Sequence, residues 1–424
     1  KAMKSSSTGS SRESASRYLA IVGVGLLYQQ GYFHQAIDIL GAQHEQFPDT
    51  NVETLPLAPA RSPNGSPAVV RIPIDGHAVA ARLWRMDVGR VPLILLDTNI
   101  PENNPDDRAL TSRLYLSDGD IRIRQELLLG AGGMRALEKL GFTPTVTHMN
   151  EGHSAFLVLE RFRSIRDRTG INERAAMQLV RTTNIFTTHT PVAAGHDEFS
   201  SEQVHRHIGA YLHDIGFSVE EALGLGRVHP WDADESFGMT VLAMRGSSWR
   251  NAVSELHGVT SRQMWKGLWP DVPVREVPIR HVTNGVHMPT WVSREMGNLI
   301  ERHLGSRWTE QTDMRGIQEE LETIPDEEYW RAHTHSRHRL ITNVRRRLHA
   351  QADRRGATGH ELAQTLAVLN EDTLTIGFAR RFAVYKRPTL VLHDIERLKA
   401  LVTNTDRPIQ LIFSGKSHPS DEMA

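Results

Sequence analysis

The readable pattern begins with an apolar stretch that has no polar interruption, Ala20-Ile21-Val22-Gly23-Val24-Gly25-Leu26-Leu27-Tyr28. Such a run predicts a buried strand, and its glycines predict close backbone approaches. Alternating apolar and polar positions at 68–74 and 78–86 predict two antiparallel strands. Pro92-Leu93-Ile94-Leu95-Leu96-Asp97 is continuous again and predicts a further buried strand. Residues 48–66 and 99–107, rich in Pro, Asn and Ser or Asp, read as loops. A helical period runs from about Arg122 to Leu140 and closes at Gly141. Strands are predicted at 143–149, 184–188 and 275–283, the last stopped by the turn pair Asn284-Gly285. Helices are predicted at 154–163, 202–215, 234–245, 291–304, 315–322 and 326–352. The chain closes with a strand at 373–376, a helix at 388–401 and a strand at 409–413. Strands that alternate with helices indicate an α/β protein with parallel sheets.

A length of 424 residues predicts two domains. Lys plus Arg is 49 and Asp plus Glu is 50, so the net charge is −1. Nothing in that balance points to nucleic acid or to a membrane surface. Any anion binding must come from local placement of cations. The absence of cysteine excludes disulfides, thiolate metal sites and cysteine nucleophiles. It fits a reducing compartment, and the cytoplasm is the expected location. No run of eighteen apolar residues is present to span a bilayer. Residues 1–19 form a leader, serine-rich up to Ser16, that reads as disordered or aberrant.

Chemistry gathers at the strand ends. Three strands end in Asn150-Glu151-Gly152-His153, Thr187-Thr188-His189-Thr190 and Thr283-Asn284-Gly285-Val286-His287. Loops at strand ends form the ligand crevice of open α/β sheets. Amides and imidazoles without excess charge suit hydroxyl-rich ligands, since each hydroxyl needs a donor and an acceptor. Each segment alone could equally be a turn or a satisfied core histidine. The last strands carry a different chemistry. Arg380, Arg381, Lys386 and Arg387 follow the strand at 373–376, and Ser414-Gly415-Lys416 follows the strand at 409–413. Cation-rich, glycine-marked turns between strand and helix can hold an oxyanion. A solvated basic loop is the competing reading.

Other signals are weaker. Gly130-Ala131-Gly132-Gly133 lacks the Lys and Ser/Thr of a phosphate loop, so close helix packing is the preferred reading. His333, His335 and His338 stand without an acidic or cysteine cluster and read as part of an exposed charged helix. His360-Glu361 lacks the second histidine of a zinc-protease motif, where Gln364 stands. No metal site is expected.

Taken together, these residues resemble a known family. Arg380-Arg381-Phe382-Ala383-Val384-Tyr385-Lys386-Arg387 is similar to a Lys-Arg-x-x-x-Tyr-Lys-Arg segment of the α-glucan (glycogen and maltodextrin) phosphorylases. Ser414-Gly415-Lys416-Ser417-His418-Pro419 resembles the Gly-Gly-Lys-Ala-x-Pro turn that follows it there. The segments at Asn150–His153, Thr188–Thr190, Asn251–His257 and Thr283–Gly285 fall in the family's order, as in its short prokaryotic branch. The resemblance implies a GT-B fold: two Rossmann-like domains with the active site in the cleft between them. It divides the chain into a glucan-binding domain at 20–286 and a cofactor and phosphate domain, incomplete, at 287–424.

The implied reaction is phosphorolysis of the terminal α-1,4 bond by inorganic phosphate. Glucose 1-phosphate leaves with retained configuration, and pyridoxal 5'-phosphate serves through its own phosphate. The implied catalytic residues are Arg381 and Lys386, which match the phosphate-holding cations, and His189, whose carbonyl supports positive charge on the sugar. Losing one such fixed charge-stabilising group typically costs ~3 kcal/mol in the barrier. His153, Asn284 and Tyr385 match glucan-contacting positions, and Lys416 matches a cofactor or phosphate contact. A homo-oligomer is allowed but not specified.

The departures have consequences. The family's Gly-Gly-Leu-Gly loop would stand before residue 20, where the serine-rich leader lies. The Schiff-base lysine, the catalytic-site glutamate and the glycine-rich cofactor loop find no match in the chain. Ala383 stands where longer animal forms carry a histidine. The expectation is that the chain as given neither holds the cofactor covalently nor turns over glucan. Two other readings stay open: a retaining GT-B glucan synthase that uses a nucleotide sugar, and a non-catalytic glucan-binding remnant.

Overall fold

The computed structural model describes residues 20–114, 118–310 and 314–419. The predicted leader at 1–19 therefore lies outside the described residues. Two compact units emerge. Among the described residues, one comprises 20–32 and 48–286, and the other comprises 33–47 and 287–419. The short stretch 33–47 packs with the second unit, an assignment that chain order does not signal.

The first unit holds two main sheets. In one, Gly23–Leu26 runs parallel to Val91–Asp97, which pairs antiparallel with His77–Val88. His77–Val88 pairs in turn with Val69–Ile74 and with Ala58–Pro59. The predicted strands are thus present, with the antiparallel pairing that their alternation indicated. Val70, Ile72 and Ile74 face the core while Arg71 faces water. The glycines of the first strand serve close packing, for a Cβ on Gly23 would stand 3.0 Å from Leu93 Cδ1.

The other sheet runs Arg280–His281, Trp249–Ala252, Asn184–Thr188, Thr147–Asn150, all parallel. Asn150, Thr187 and Asn251 fall in one row across it. Every strand therefore delivers its following loop to the same edge. Helices cover the sheet around a core that includes Phe156, Phe162, Phe186, Tyr211 and Phe237. Phe156 stacks on Phe237 with centroids 5.9 Å apart.

Several predicted elements are shorter than expected. Only Arg280–His281 of 275–283 is a strand, and only Met239–Arg245 of 234–245 is an α-helix. Glu235 folds the preceding residues into a turn by accepting from the N–H groups of Val228 at 2.6 Å and His229 at 2.8 Å. The stretch predicted as a helix at 122–140 changes pitch: Gly119–Leu127 and Gly133–Lys139 are α-helical, and Leu128–Gly132 is a π turn.

The second unit contains the hairpin of His34–Ile37 with Gln43–Gln46, the helices Arg294–Leu304, Met314–Glu322, Asp326–Arg354 and Gly359–Ala367, and two strands. These strands, Leu374–Ala379 and Ile409–Ser414, pair in parallel, as a β-α-β unit requires. The connection is less helical than predicted. Leu390–Leu392 forms a 3-10 turn, and the α-helix Ile395–Val402 begins only where Asp394 Oδ1 accepts from Arg397 N at 3.0 Å.

Candidate functional site

The carboxyl edge of the parallel sheet is built around Glu151. This residue is buried and has φ of 69°, in the left-handed region that non-glycine residues rarely adopt. Such strain is retained where surrounding bonds fix it. Here Glu151 Oε2 accepts from His189 N at 2.7 Å and from Thr190 Oγ1 at 2.9 Å. One carboxylate thus holds the loop after the neighbouring strand. Thr187 Oγ1 donates to Asn251 Oδ1 at 3.0 Å, which ties the next strand in. Asn284 reaches the same edge through its backbone N–H, 3.3 Å from the Val253 carbonyl.

Polar atoms at this edge are left open. Glu151 Oε1, Thr188 Oγ1 and His257 Nε2 are buried and have no hydrogen-bond partner. Each such atom costs about 1–3 kcal/mol unless a ligand or water satisfies it. Burial lowers the His189 pKa, with Glu151 opposing and His257 and His153 reinforcing, so its imidazole is neutral near pH 7. Burial and His189 likewise lower His148. Neutral imidazoles can both donate and accept.

His153 has a different character. Its Nδ1 lies 2.8 Å from Arg122 Nη2, 3.2 Å from Asp197 Oδ2 and 3.6 Å from Glu126 Oε1. Burial opposes its charge, but the bonds to Asp197 and Glu126 outweigh that and raise it to about 9. Burial pushes Glu126 up to about 7 against the pull of His153 and Arg122. Glu126, His153 and Asp197 have metal-like spacing, yet Arg122 occupies the same ground. Its Nε stands 2.9 Å from Glu126 and its Nη2 3.0 Å from Asp197. The guanidinium supplies the positive charge that a metal would. Arg122, Glu126 and Asp197 went unnoticed as site residues in the sequence. Glu151 was marked only as part of the strand-end segment Asn150–His153, without a role of its own.

The second unit brings its two cation-bearing turns together. Phe382 N donates to the Lys416 carbonyl at 2.9 Å, and Phe382 bridges to Ser417. The crossing is tight: a Cβ on Gly415 would stand 2.1 Å from the Arg380 carbonyl oxygen. Arg387 closes the basic turn with φ of 54°. Lys386 Nζ lies 4.8 Å from the centre of the half-exposed Tyr385 ring. Lys416 Nζ donates to the Phe33 carbonyl and lies 4.9 Å from the Phe33 ring. Burial lowers its pKa. Arg381, Tyr385, Lys386 and Lys416 are thus neighbours in this unit, as His153, His189 and Asn284 share the sheet edge of the first.

The weaker sequence signals resolve structurally. A Cβ on Gly130 would stand 2.7 Å from Leu157 N, which is close packing. His338 pairs with Glu371 at 2.8 Å, and His333 lies against Trp330.

The model of the carbohydrate phosphorylase family matches residues 136–424. The chain belongs to that family. A maltodextrin phosphorylase of Thermococcus litoralis is 44% identical over 404 residues, which cover 95% of this chain and 47% of that protein. A glycogen phosphorylase of Mycobacterium tuberculosis is 40% identical over 412 residues, with 95% and 47% covered. One of Aquifex aeolicus is 36% identical, with 97% and 58% covered. The chain thus spans about half the length of these carbohydrate phosphorylase relatives. No helix among the described residues is long and apolar enough to cross a membrane.

Proposed function

We propose that this chain carries the glucan- and phosphate-handling residues of an α-glucan phosphorylase. The observation that carries the reading is the set of open polar atoms at one sheet edge, Glu151 Oε1, Thr188 Oγ1 and His257 Nε2, beside the neutral His189. A hydroxyl-rich sugar satisfies such a mixture of donors and acceptors. In this reading Asn284 orients a sugar hydroxyl, His153 lines the site and Tyr385 lies near the sugar. The His189 carbonyl supports positive charge on the sugar ring.

The reaction cleaves the bond between glucosyl C1 and the glycosidic oxygen. A C1–O bond to phosphate forms, and the phosphate's proton passes to the departing oxygen. Arg381 and Lys386 hold the phosphate charge, and Lys416, on the turn whose backbone pairs with Phe382, is the further cation of this reading. Fixed cations act most strongly where charge develops. This donor set also suits the phosphate of pyridoxal 5'-phosphate, which when bound supplies a proton-relaying phosphate group. The GT-B arrangement, a cytoplasmic location, and α-1,4-glucan and inorganic phosphate as partners belong to the same proposal.

Calorimetric titration with a maltooligosaccharide tests it. Binding is expected, and Asn284→Ala should weaken it about five- to tenfold, the loss of roughly one hydrogen bond. Binding of a nucleotide sugar in place of the oligosaccharide would overturn the reading in favour of a glucan synthase.

A further inference from the structure

Arg161, on the helix Leu157–Thr169, is only 5% exposed. A buried guanidinium is costly unless its charge and its N–H groups are matched. Its Nη2 donates to the Thr145 carbonyl at 2.9 Å and to Thr183 Oγ1 at 2.8 Å. Its Nε and Nη1 are buried and have no hydrogen-bond partner. Those two nitrogens carry most of a guanidinium's N–H donors. The nearby carboxylates are taken. Glu138 and Asp167 bind Arg163 at 3.0 and 3.1 Å, and Glu160 binds Arg163 and Arg135 at 2.7 and 2.9 Å. Burial and a second cation, Arg168, push the Arg161 pKa down to about 10.

A cavity of about 300 Å³ lies here, lined by charges of both signs: Arg161, Arg163 and Arg168, and the carboxylates Glu138 and Asp167 that Arg163 pairs. It is at the amino edge of the parallel sheet, because Thr145 and Thr183 precede the strands Thr147–Asn150 and Asn184–Thr188. The candidate glucan edge lies at the other end of those strands, ~16 Å away at ~3.3 Å per residue. We infer that this cavity binds a phosphoryl group, free or as a small ester, on the open donors of Arg161, with Arg168 supplying the second positive charge. A planar guanidinium matches phosphate oxygens in pairs, and two cations suit a dianion. This site goes beyond the phosphate-holding role proposed for Arg381 and Lys386.

The test is calorimetry with inorganic phosphate at fixed ionic strength, in the full chain carrying Lys386→Gln. Millimolar or tighter binding should persist in that background. Arg161→Gln should abolish it. The surface change Arg168→Gln, which leaves the fold intact, should weaken it at least fivefold. Methyl phosphate distinguishes the sources: equal affinity means that the cavity admits an ester, and rejection means free phosphate alone. Loss of all phosphate binding with Lys386→Gln would overturn the inference. So would binding that neither Arg161→Gln nor Arg168→Gln alters. If the glucan proposal fails, this result stands unaffected, since no sugar enters the measurement.

Discussion

Glu151 shows how one side chain can organise a strand edge. Its carboxylate holds the His189 N–H and the Thr190 hydroxyl while its own backbone stays at φ of 69°. Glu151→Ala removes both bonds from a buried position and should cost about 2–3 kcal/mol in urea denaturation. An unchanged midpoint would show that the His189 loop is held by other contacts. His153 gives a pH signature. Its folded pKa of about 9 lies above the ordinary 6.5. The stabilisation is therefore complete below about pH 6.5 and fades as the pH rises through about 9. With 39% of the side chain exposed, solvent screening leaves about 1 kcal/mol. His153→Gln should flatten the fall in stability across that window, and a slope that persists would assign it to another group. The polar tips at His153, His189 and Asn284 were legible because each ends an apolar run. Arg122, Glu126 and Asp197 were not, since they converge on His153 from distant positions only after folding.

Among the elements, glycine spacing has opposite consequences in two helical segments. A Cβ on Gly130 would press on backbone, with Leu157 N at 2.7 Å and Ser154 O at 2.9 Å. Gly130→Ala should therefore destabilise by about 2–3 kcal/mol, since the backbone of the turn that bears His153 cannot give way. A Cβ on Gly209, inside the helix Ser201–Asp214, would meet only Val219 Cγ2 at 3.9 Å. Gly209→Ala should stabilise by about 0.5–1 kcal/mol through helix propensity. Thermal melts of the two variants should move in opposite directions, and a shared direction would refute the packing argument. Continuous apolar runs made most buried strands readable. The hairpin of His34–Ile37 and Gln43–Gln46 escaped notice because it has almost no apolar pattern. It depends on backbone pairing and on Asp38 Oδ1, which accepts from Leu40 N at 2.8 Å and Ala42 N at 2.9 Å. The helices Val219–Gly226 and Gly359–Ala367 were also unpredicted. Their capping boxes, Ser218 with Glu221 and Thr358 with Glu361, were written in the sequence and are the signal that would have found them.

At the scale of the molecule, two kinds of polar chemistry sit on two units. The first unit offers amides, hydroxyls and neutral imidazoles at one sheet edge, and the second offers cations at two crossing turns. In the proposed reading the first serves the sugar and the second the phosphate. The most direct test titrates a maltooligosaccharide into the protein with and without inorganic phosphate. The account predicts that phosphate changes the oligosaccharide affinity. Lys386→Gln should erase that dependence while the phosphate-free affinity stays as it was. Oligosaccharide binding that ignores phosphate in the unaltered chain would contradict it, and would leave a glucan-binding protein without the phosphorolytic role.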